Sequence, residues 1–254
     1  MTLRATLSTP DGKRRYVRRL FATIADRYDF ITRFLSYGQD RRWKQRLVRL
    51  AEVTPHDRVL DLACGTGDIL FSAAPRAKSA VGLDVTHRML QLAKAREKTA
   101  RGAAPGTAGE PLESALRLDW LCGDMTALPL RAGTFDVVTT GYGLRNVPDL
   151  GAAVAEIHRV LVAGGKLLVL DFNRPGNAVV RSVYLAYLTA VGSALGFVLH
   201  RDPDTYRYIP ESIRNYPGAR GVARLLEQRG FTGVRVIPLL GGLMAIHVAR
   251  KPSG

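Results

Sequence analysis

The chain has 254 residues, 46% of them hydrophobic and 23% charged, with a mean hydropathy of −0.02. This composition excludes disorder over the whole length and supports one sizeable core, which an α/β sheet of this length builds as a single domain. Lys and Arg number 37 against 22 Asp and Glu, a net +15 that points to an anionic partner: nucleic acid, an anionic membrane surface or an anionic small molecule.

The excess charge sits at the start, where residues 1–49 hold thirteen Lys or Arg and four Asp. No apolar run there is long enough for a secretory signal, so a cytoplasmic protein is expected, with an organelle transit peptide as the alternative that an Arg-rich, acid-poor start leaves open. Val17, Leu20, Phe21 and Ile24 predict a helix over 16–28, and Trp43, Leu47 and Leu50 predict another over 40–50. Residues 58–62 read as a short buried strand, stopped by Cys64-Gly65-Thr66-Gly67. The next helix begins near Asp68, where an acid suits the positive helix end. A strand over 79–83 ends at Asp84, and Thr86 is an N-cap candidate for the helix through Met89, Leu90, Leu92 and Ala93. Gly, Ala and Pro then predict a flexible surface insertion over 99–115.

Strands return at 116–121, 135–140 and 166–170, with a helix over 150–161 between the last two. Residues 182–199 are uncharged and approach the length of a membrane span. A span leaving mid-domain would strip the sheet of its cover, so they are expected as a helix within the fold, sheltering an apolar ligand or filling the core. A helix over 219–229 and strands over 231–238 and 243–249 close the chain. Alternating strands and helices predict a mostly parallel sheet covered on both faces, with an antiparallel edge.

The strongest chemical signal is Val59-Leu60-Asp61-Leu62-Ala63-Cys64-Gly65-Thr66-Gly67-Asp68. Glycines at a strand end let a ligand lie against the backbone, in the crevice where open α/β sheets bind. Asp84 ends the next strand and suits ribose hydroxyls. Gly123-Asp124-Met125 ends the third, offering an acceptor for an adenine amino group and an apolar contact for its ring. The third glycine of a dinucleotide fingerprint is missing, because Asp68-Ile69-Leu70 follows instead. An acid there repels a pyrophosphate but suits S-adenosylmethionine (SAM), which carries a sulfonium cation.

These residues resemble the class I SAM-dependent methyltransferases over about residues 58–170. The resemblance implies a Rossmann-like, mostly parallel seven-stranded sheet with helices on both faces and an antiparallel edge strand. It also implies SAM as cofactor, held by Asp61, Gly65, Thr66, Gly67, Asp84, Asp124, Met125 and Gly141. After the fourth strand comes Thr139-Thr140-Gly141-Tyr142-Gly143-Leu144-Arg145-Asn146-Val147-Pro148-Asp149. It lacks the Asn/Asp-Pro-Pro-aromatic tetrapeptide that holds a planar amine, so a nucleic-acid base is disfavoured as acceptor despite the positive charge.

A narrower likeness follows. Tyr28-Asp29-Phe30-Ile31-Thr32-Arg33-Phe34-Leu35-Ser36 followed by Trp43 is similar to the N-terminal signature of the ubiquinone/menaquinone biosynthesis C-methyltransferases. Gly143-Leu144-Arg145-Asn146-Val147 resembles their post-strand loop, and Arg159-Val160-Leu161-Val162-Ala163-Gly164-Gly165 their second signature. Asp204-Thr205-Tyr206-Arg207-Tyr208-Ile209-Pro210-Glu211-Ser212-Ile213-Arg214 is similar to a late segment that common SAM domains lack. The chain departs from the pattern with Ile31-Thr32 for Met-Asn, Asp40 for His, Asp171-Phe172-Asn173 for Glu-Phe-Ser, and Gly141 for Ser. These differences bear on which quinol is used more than on the reaction.

The resemblance implies methyl transfer to a ring carbon of a polyprenylated hydroquinone, demethylmenaquinol to menaquinol being favoured. It divides the chain into a basic helical segment over 1–52 that covers the site and a methyltransferase domain over 53–254, with residues 174–217 covering the substrate. A ring carbon becomes nucleophilic when a neighbouring hydroxyl loses its proton, so the protein must position the ring and stabilise a phenolate. Arg145 is the first candidate, because the resemblance of its loop implies a place beside the methyl and a guanidinium does this without titrating; a structural salt-bridge arginine is the alternative. Asn146 could orient the same oxygen or cap the turn. Tyr28 could close over cofactor and ring or pack on the N-terminal helix, and Tyr206 and Arg207 could line the quinol pocket or lie at the surface. The general base stays open between bound water and a side chain.

His87 reads as an exposed helix-start residue and His158 as structural. Cys64 and Cys122 fit no metal-ligand spacing, no metal is expected, and both read as reduced thiols. A lipid-borne substrate, a basic N-terminal segment and the uncharged 182–199 together imply peripheral attachment to an anionic inner membrane face. A methyltransferase for another small molecule or RNA, and a SAM-binding module without chemistry, are the rival readings.

Overall fold

A computed structural model describes residues 6–7, 9–102 and 118–254; residues 103–115 of the expected insertion lie outside them. Strand residues alternate between two hydrophobic clusters, one on each face of a seven-stranded sheet. In β1 (Arg58–Leu62) Val59 turns to one cluster and Leu60 and Leu62 to the other; in β5 (Leu161–Phe172) Leu168 and Leu170 oppose Leu167 and Val169. Near-continuous apolar runs are what strands buried on both faces require.

The order is β3-β2-β1-β4-β5-β7-β6, with β2 Ser79–Asp84, β3 Leu118–Cys122, β4 Phe135–Gly141, β6 Thr232–Leu239 and β7 Met244–Arg250. The pairs from β3 through β5 are parallel, while β7 runs antiparallel to both β5 and β6. The reversed strand therefore lies one place in from the edge. Chain order reverses between β1 and β4, which opens a crevice at their carboxyl ends.

The helices are α1 Pro10–Ile24, α2 Tyr28–Leu35, α3 Asp40–Ala51, α4 Asp68–Ala73, α5 His87–Gly102, α6 Leu150–Val160, α7 Ala178–His200, α8 Tyr208–Asn215 and α9 Gly218–Gln228. The single helix expected over 16–28 is two, separated by a 3₁₀ turn at Ala25–Arg27. It also starts earlier, because Thr9 Oγ1 accepts from Gly12 N at 3.2 Å and Pro10 occupies the first turn. Thr86 does begin α5, its carbonyl accepting from the Met89 and Leu90 amides. Its buried hydroxyl makes no hydrogen bond among the described residues, so it is not the side-chain cap expected. Asn177 caps α7, its Oδ1 accepting from the Val179 and Val180 amides.

α1, α7 and α8 form a cover beside the crevice, joined through Val17, Leu20 and Ile24 of α1, Leu195 and Leu199 of α7, and Tyr206 and Tyr208. α7 packs Tyr184, Leu185 and Leu188 inward. Its other face is bare: Val179, Val183, Tyr187, Phe197 and Val198 are all exposed. By length and composition α7 could cross a membrane, yet only 22% of its most apolar window is buried, so plain core helix does not describe it.

Candidate active site

The crevice holds a cleft lined by the turn after β1, the ends of β2 and β3, and the loop after β4. Gly65 adopts φ +54, and a Cβ there would have only Tyr28 Cε1 within 4 Å, at 3.9 Å. Its glycine thus faces open space, as a ligand cradle requires. Gly67, at φ +90, differs: a Cβ would lie 2.7 Å from Trp120 and 2.9 Å from Phe71. It starts α4 by packing and does not line the cleft. Ala63 and Tyr142, both lining residues, have positive φ of 51 and 60, a strain of about 1–2 kcal/mol each.

Acids mark the cleft's length. Asp84 is buried, with Oδ2 accepting from Gly65 N at 2.9 Å and Oδ1 from Thr86 N at 2.8 Å, and burial raises its carboxyl. The two backbone bonds aim the carboxylate across the cleft and leave a lone pair on each oxygen for ribose hydroxyls. Asp61 Oδ1 accepts from Thr139 Oγ1 at 2.7 Å, while Oδ2 is buried without a partner among the described residues. Burial pushes this carboxyl up to about 7. Such an orphaned acceptor beside Gly65 and Thr66 fits the ammonium of a bound amino acid group. Asp124 and Met125 line the opposite end, Asp124 Oδ1 accepting from Thr126 N and Oγ1 at 2.8 and 2.7 Å. Thr66 Oγ1 donates to Asp29 at 2.8 Å, and a Cβ on Gly141 would lie 2.7 Å from Ile69.

Helix α1 closes one side of the cleft. Arg14 Nε donates to Asp124 Oδ2 at 3.0 Å, and Lys13 Nζ donates to the carbonyls of Arg145 and Val147 at 3.0 and 2.6 Å. Burial, aided by the Arg145 charge, lowers Lys13 to about 8.

A second cavity of about 500 Å³ adjoins the first and is almost wholly apolar. α1 and α2 contribute Ile24, Ile31 and Leu35, α7 contributes Val183, Tyr184 and Leu188, and Tyr208, Ile209, Leu243 and Phe172 complete the wall. Phe21, Tyr28 and Tyr142 line both cavities, which adjoin at these three rings. Tyr142 Oη donates to Asp40 Oδ1 at 2.6 Å, and Asp40 Oδ2 lies 2.7 Å from Lys44 Nζ.

Arg145 lines the apolar cavity with its guanidinium over the Phe172 ring at 4.6 Å. Nη1 donates to the Tyr142 carbonyl at 2.9 Å and lies 3.6 Å from Asp171 Oδ1; Nε is buried with no partner among the described residues. It is therefore anchored and still holds an unused donor. Asn146 lies on the cofactor side, Nδ2 donating to the Tyr142 carbonyl at 2.8 Å and Oδ1 accepting from Tyr208 Oη at 3.0 Å. Those bonds tie the loop down. Tyr206 lines the cavity, 2.8 Å from His200 Nε2, whereas Arg207 is exposed, pairs with Asp204 and faces away from it. His158 packs edge-on against Phe231. Tyr142, Tyr184, Tyr208 and Phe172 were not singled out in the sequence; only the Gly-x-Gly around Tyr142 marked its strained backbone.

A sequence profile of the ubiE/COQ5 methyltransferase family matches residues 9–251. The chain belongs to the ubiE/COQ5 methyltransferase family. It is 38% identical to a demethylmenaquinone methyltransferase of Thermus thermophilus over 92% of this chain and all of that protein. It is 36% identical to one of Mycolicibacterium gilvum over 93% and 95% of the two chains. The fold is shared with a SAM-dependent methyltransferase of Thermotoga maritima, TM-score 0.61 at 16% identity, over 92% of this chain and 99% of the other.

This ubiE/COQ5 member is a SAM-dependent methyltransferase, and the donor sets fit that cofactor. Asp61 would hold the amino group, Asp84 the ribose, and Asp124 with Met125 the adenine. When bound, SAM supplies an electrophilic methyl on a sulfonium. Beside that cleft the chain offers a mostly apolar cavity, with the anchored Arg145 guanidinium in its wall.

Proposed function

We propose that the chain methylates a ring carbon of a polyprenylated hydroquinone, demethylmenaquinol to menaquinol being the favoured reaction. The apolar cavity, adjoining the cofactor cleft at Tyr28 and Tyr142, carries this reading. A prenyl chain needs an apolar wall, and a phenolate needs one fixed cation; Arg145 supplies the second through its free Nε. The names of the relatives agree with it. Incubation with methyl-labelled SAM and either demethylmenaquinol, a demethylated benzoquinol or RNA tests it. Label should enter the organic phase with the naphthoquinol; label in RNA alone would overturn the reading.

We infer further that the protein works in the cytoplasm, peripherally bound to the anionic inner face of the membrane. Support comes from the exposed face of α7 and from Tyr37, which stacks on Tyr187 at 6.2 Å beside the cavity. Phe30 and Phe34 on α2 are also exposed. Arg174 and Arg201 flank α7, which carries no acid. An apolar face with basic ends suits a helix lying in the interface plane. We read residues 174–217 and the described part of 1–52 as the segments that cover the site.

A further inference from the structure

The apolar cavity presents a chemical gap. Methylating a hydroquinone carbon requires that a hydroxyl proton leave, yet no Asp, Glu or His lines the cavity among the described residues. Arg145 cannot take it, since a guanidinium stays charged. Asp171, the carboxylate behind Arg145, already accepts from the Arg145 and Phe172 amides and faces the guanidinium. Three further groups stand one hydrogen bond behind the wall: Asp202 through Thr205, His200 through Tyr206, and Asp40 through Tyr142. Of these three wall residues Tyr142 alone also lines the cofactor cleft, so Asp40 is the group reached where a methyl would arrive.

We propose that Tyr142 and Asp40 form the proton relay for the acceptor hydroxyl, Tyr142 Oη taking its proton as the tyrosine's own passes to Asp40 Oδ1. The proposal rests on the hydroquinone reading above. Because Tyr142 Oη donates to Asp40 at 2.6 Å, its hydrogen is committed and its free lone pair can only accept. A hydroxyl in the cavity is therefore met as a donor. Burial and the neighbouring Asp40 hold the Tyr142 phenol well above its ordinary range, so it stays protonated and conducts only as it receives. The groups facing the pair are Lys44 on α3, Asp68 on α4, Tyr28 on α2, and Asp171 and Arg145 beyond the ring. Tyr142 also lines the cofactor cleft, so it stands where the two cavities adjoin.

The bonds balance. The acceptor O–H breaks, and its proton bonds Tyr142 Oη. The tyrosine O–H breaks, and that proton bonds Asp40. The oxygen's electron pair enters the ring, the ring carbon bonds the methyl, and the methyl–sulfur pair stays on sulfur. The methylated carbon then loses its hydrogen as a proton to water. The relay runs back to restore the hydroxyl, and one proton reaches solvent overall.

Here Tyr142 touches the substrate, and Asp40 acts through it. Single-turnover methylation of a short-chain demethylmenaquinol is compared across pH for the wild type, Asp40→Asn, Asp40→Glu and Tyr142→Phe, each with its Tm and SAM affinity. Wild type should show a flat rate near neutrality. Asp40→Asn and Tyr142→Phe should fall about 10²–10⁴-fold, the loss typical of a removed general base, and recover tenfold per pH unit toward the quinol's own ionisation. Asp40→Glu should restore part of the rate.

Binding gives a readout apart from turnover. Wild type should prefer 1-naphthol over 1-methoxynaphthalene by about fivefold, one hydrogen bond's worth. Tyr142→Phe should erase that preference and Asp40→Asn keep it, since Asn still accepts from Tyr142. Should Asp40→Asn lose the fold, Asp40→Glu and Tyr142→Phe carry the same comparison. Methylation by the wild type with an unchanged rate and flat profile in folded Asp40→Asn or Tyr142→Phe would overturn the relay and leave the acceptor reading standing. No methylation by the wild type would remove the acceptor reading, and the relay with it.

Discussion

The cofactor cleft and the apolar cavity meet at Tyr28 and Tyr142, yet they are built by opposite means. The cleft is made of backbone and short acids: Gly65, Asp61, Asp84 and Asp124 stand on strand ends, and most of their oxygens are already aimed by amides or hydroxyls. The cavity is made of aromatic and aliphatic side chains from α1, α2, α7 and the last strands, with few polar atoms. A sheet edge suits a ligand that must be held atom by atom, whereas a wall of side chains suits one that only needs to be kept dry. Arg145 belongs to both, since its loop follows a sheet strand and its guanidinium reaches the apolar side.

Altering Arg145 should break the division most sharply. Arg145→Lys keeps the charge but loses the planar fork, and with it the anchor to the Tyr142 carbonyl. The rate of methyl transfer should fall by roughly a hundredfold or more, as when an oxyanion donor is lost, while SAM affinity by calorimetry stays within a few-fold. An equal loss in both would show that Arg145 serves the cleft. Asp84→Ala should do the reverse: losing charge-assisted bonds to ribose costs about 1.5–3 kcal/mol, or roughly tenfold to a hundredfold in SAM affinity. Unchanged calorimetric affinity would remove Asp84 from the cofactor site.

Asp61 gives a smaller effect with a definite sign. Its carboxyl titrates near 7 in the folded chain against 3.8 unfolded, because burial disfavours the charge. Between those values the folded state holds the extra proton, so Asp61's contribution to stability is complete below about 4 and is lost as pH rises toward 7. SAM should oppose that loss, since its ammonium favours the ionised form. Affinity should therefore climb by up to tenfold per pH unit below 7 and level off above it. Asp61→Asn should flatten both dependences, read by thermal melts with and without SAM.

The same contrast explains what the sequence disclosed. The places of Asp61, Gly65 and Asp84 around the cleft were legible because a strand end is local: a few adjacent residues state the strand, its stop and the turn that follows. The parallel sheet was legible for the same reason, from period and punctuation. Gly67 misled, since spacing cannot tell a glycine that faces a ligand from one that lies under Trp120. Arg207 sits in a family-like segment, but only the fold puts Tyr206 inside and Arg207 outside. The Tyr142–Asp40 bond joins residues 102 positions apart, and no periodicity announces such a pair. α2 and α8 were too short to declare themselves, and they wall much of the cavity.

The membrane prediction separates two forces that the sequence had merged. Net positive charge over residues 1–49 suggested electrostatic attachment by the N-terminal segment, but Lys13 and Arg14 are engaged over the cofactor cleft. Neutralising them would disturb SAM binding, so the electrostatic arm uses only Arg15, Arg18 and Arg19, which are exposed. The apolar arm uses Val179→Asp and Val183→Asp, at residues 71% and 65% exposed beside the cavity. A valine withdrawn from water contributes at most about 1.5–3 kcal/mol, so each change should weaken vesicle binding by about tenfold. That loss should persist in high salt, because burial of apolar area is not screened. Each removed arginine should cost about 1 kcal/mol at anionic vesicles in low salt, and nothing at neutral ones. The effect should fade as the Debye length shrinks to about 8 Å at physiological ionic strength. Sedimentation with neutral and anionic vesicles, at two salt concentrations, resolves the arms. If the valine variants bind as the parent does, α7 does not enter lipid.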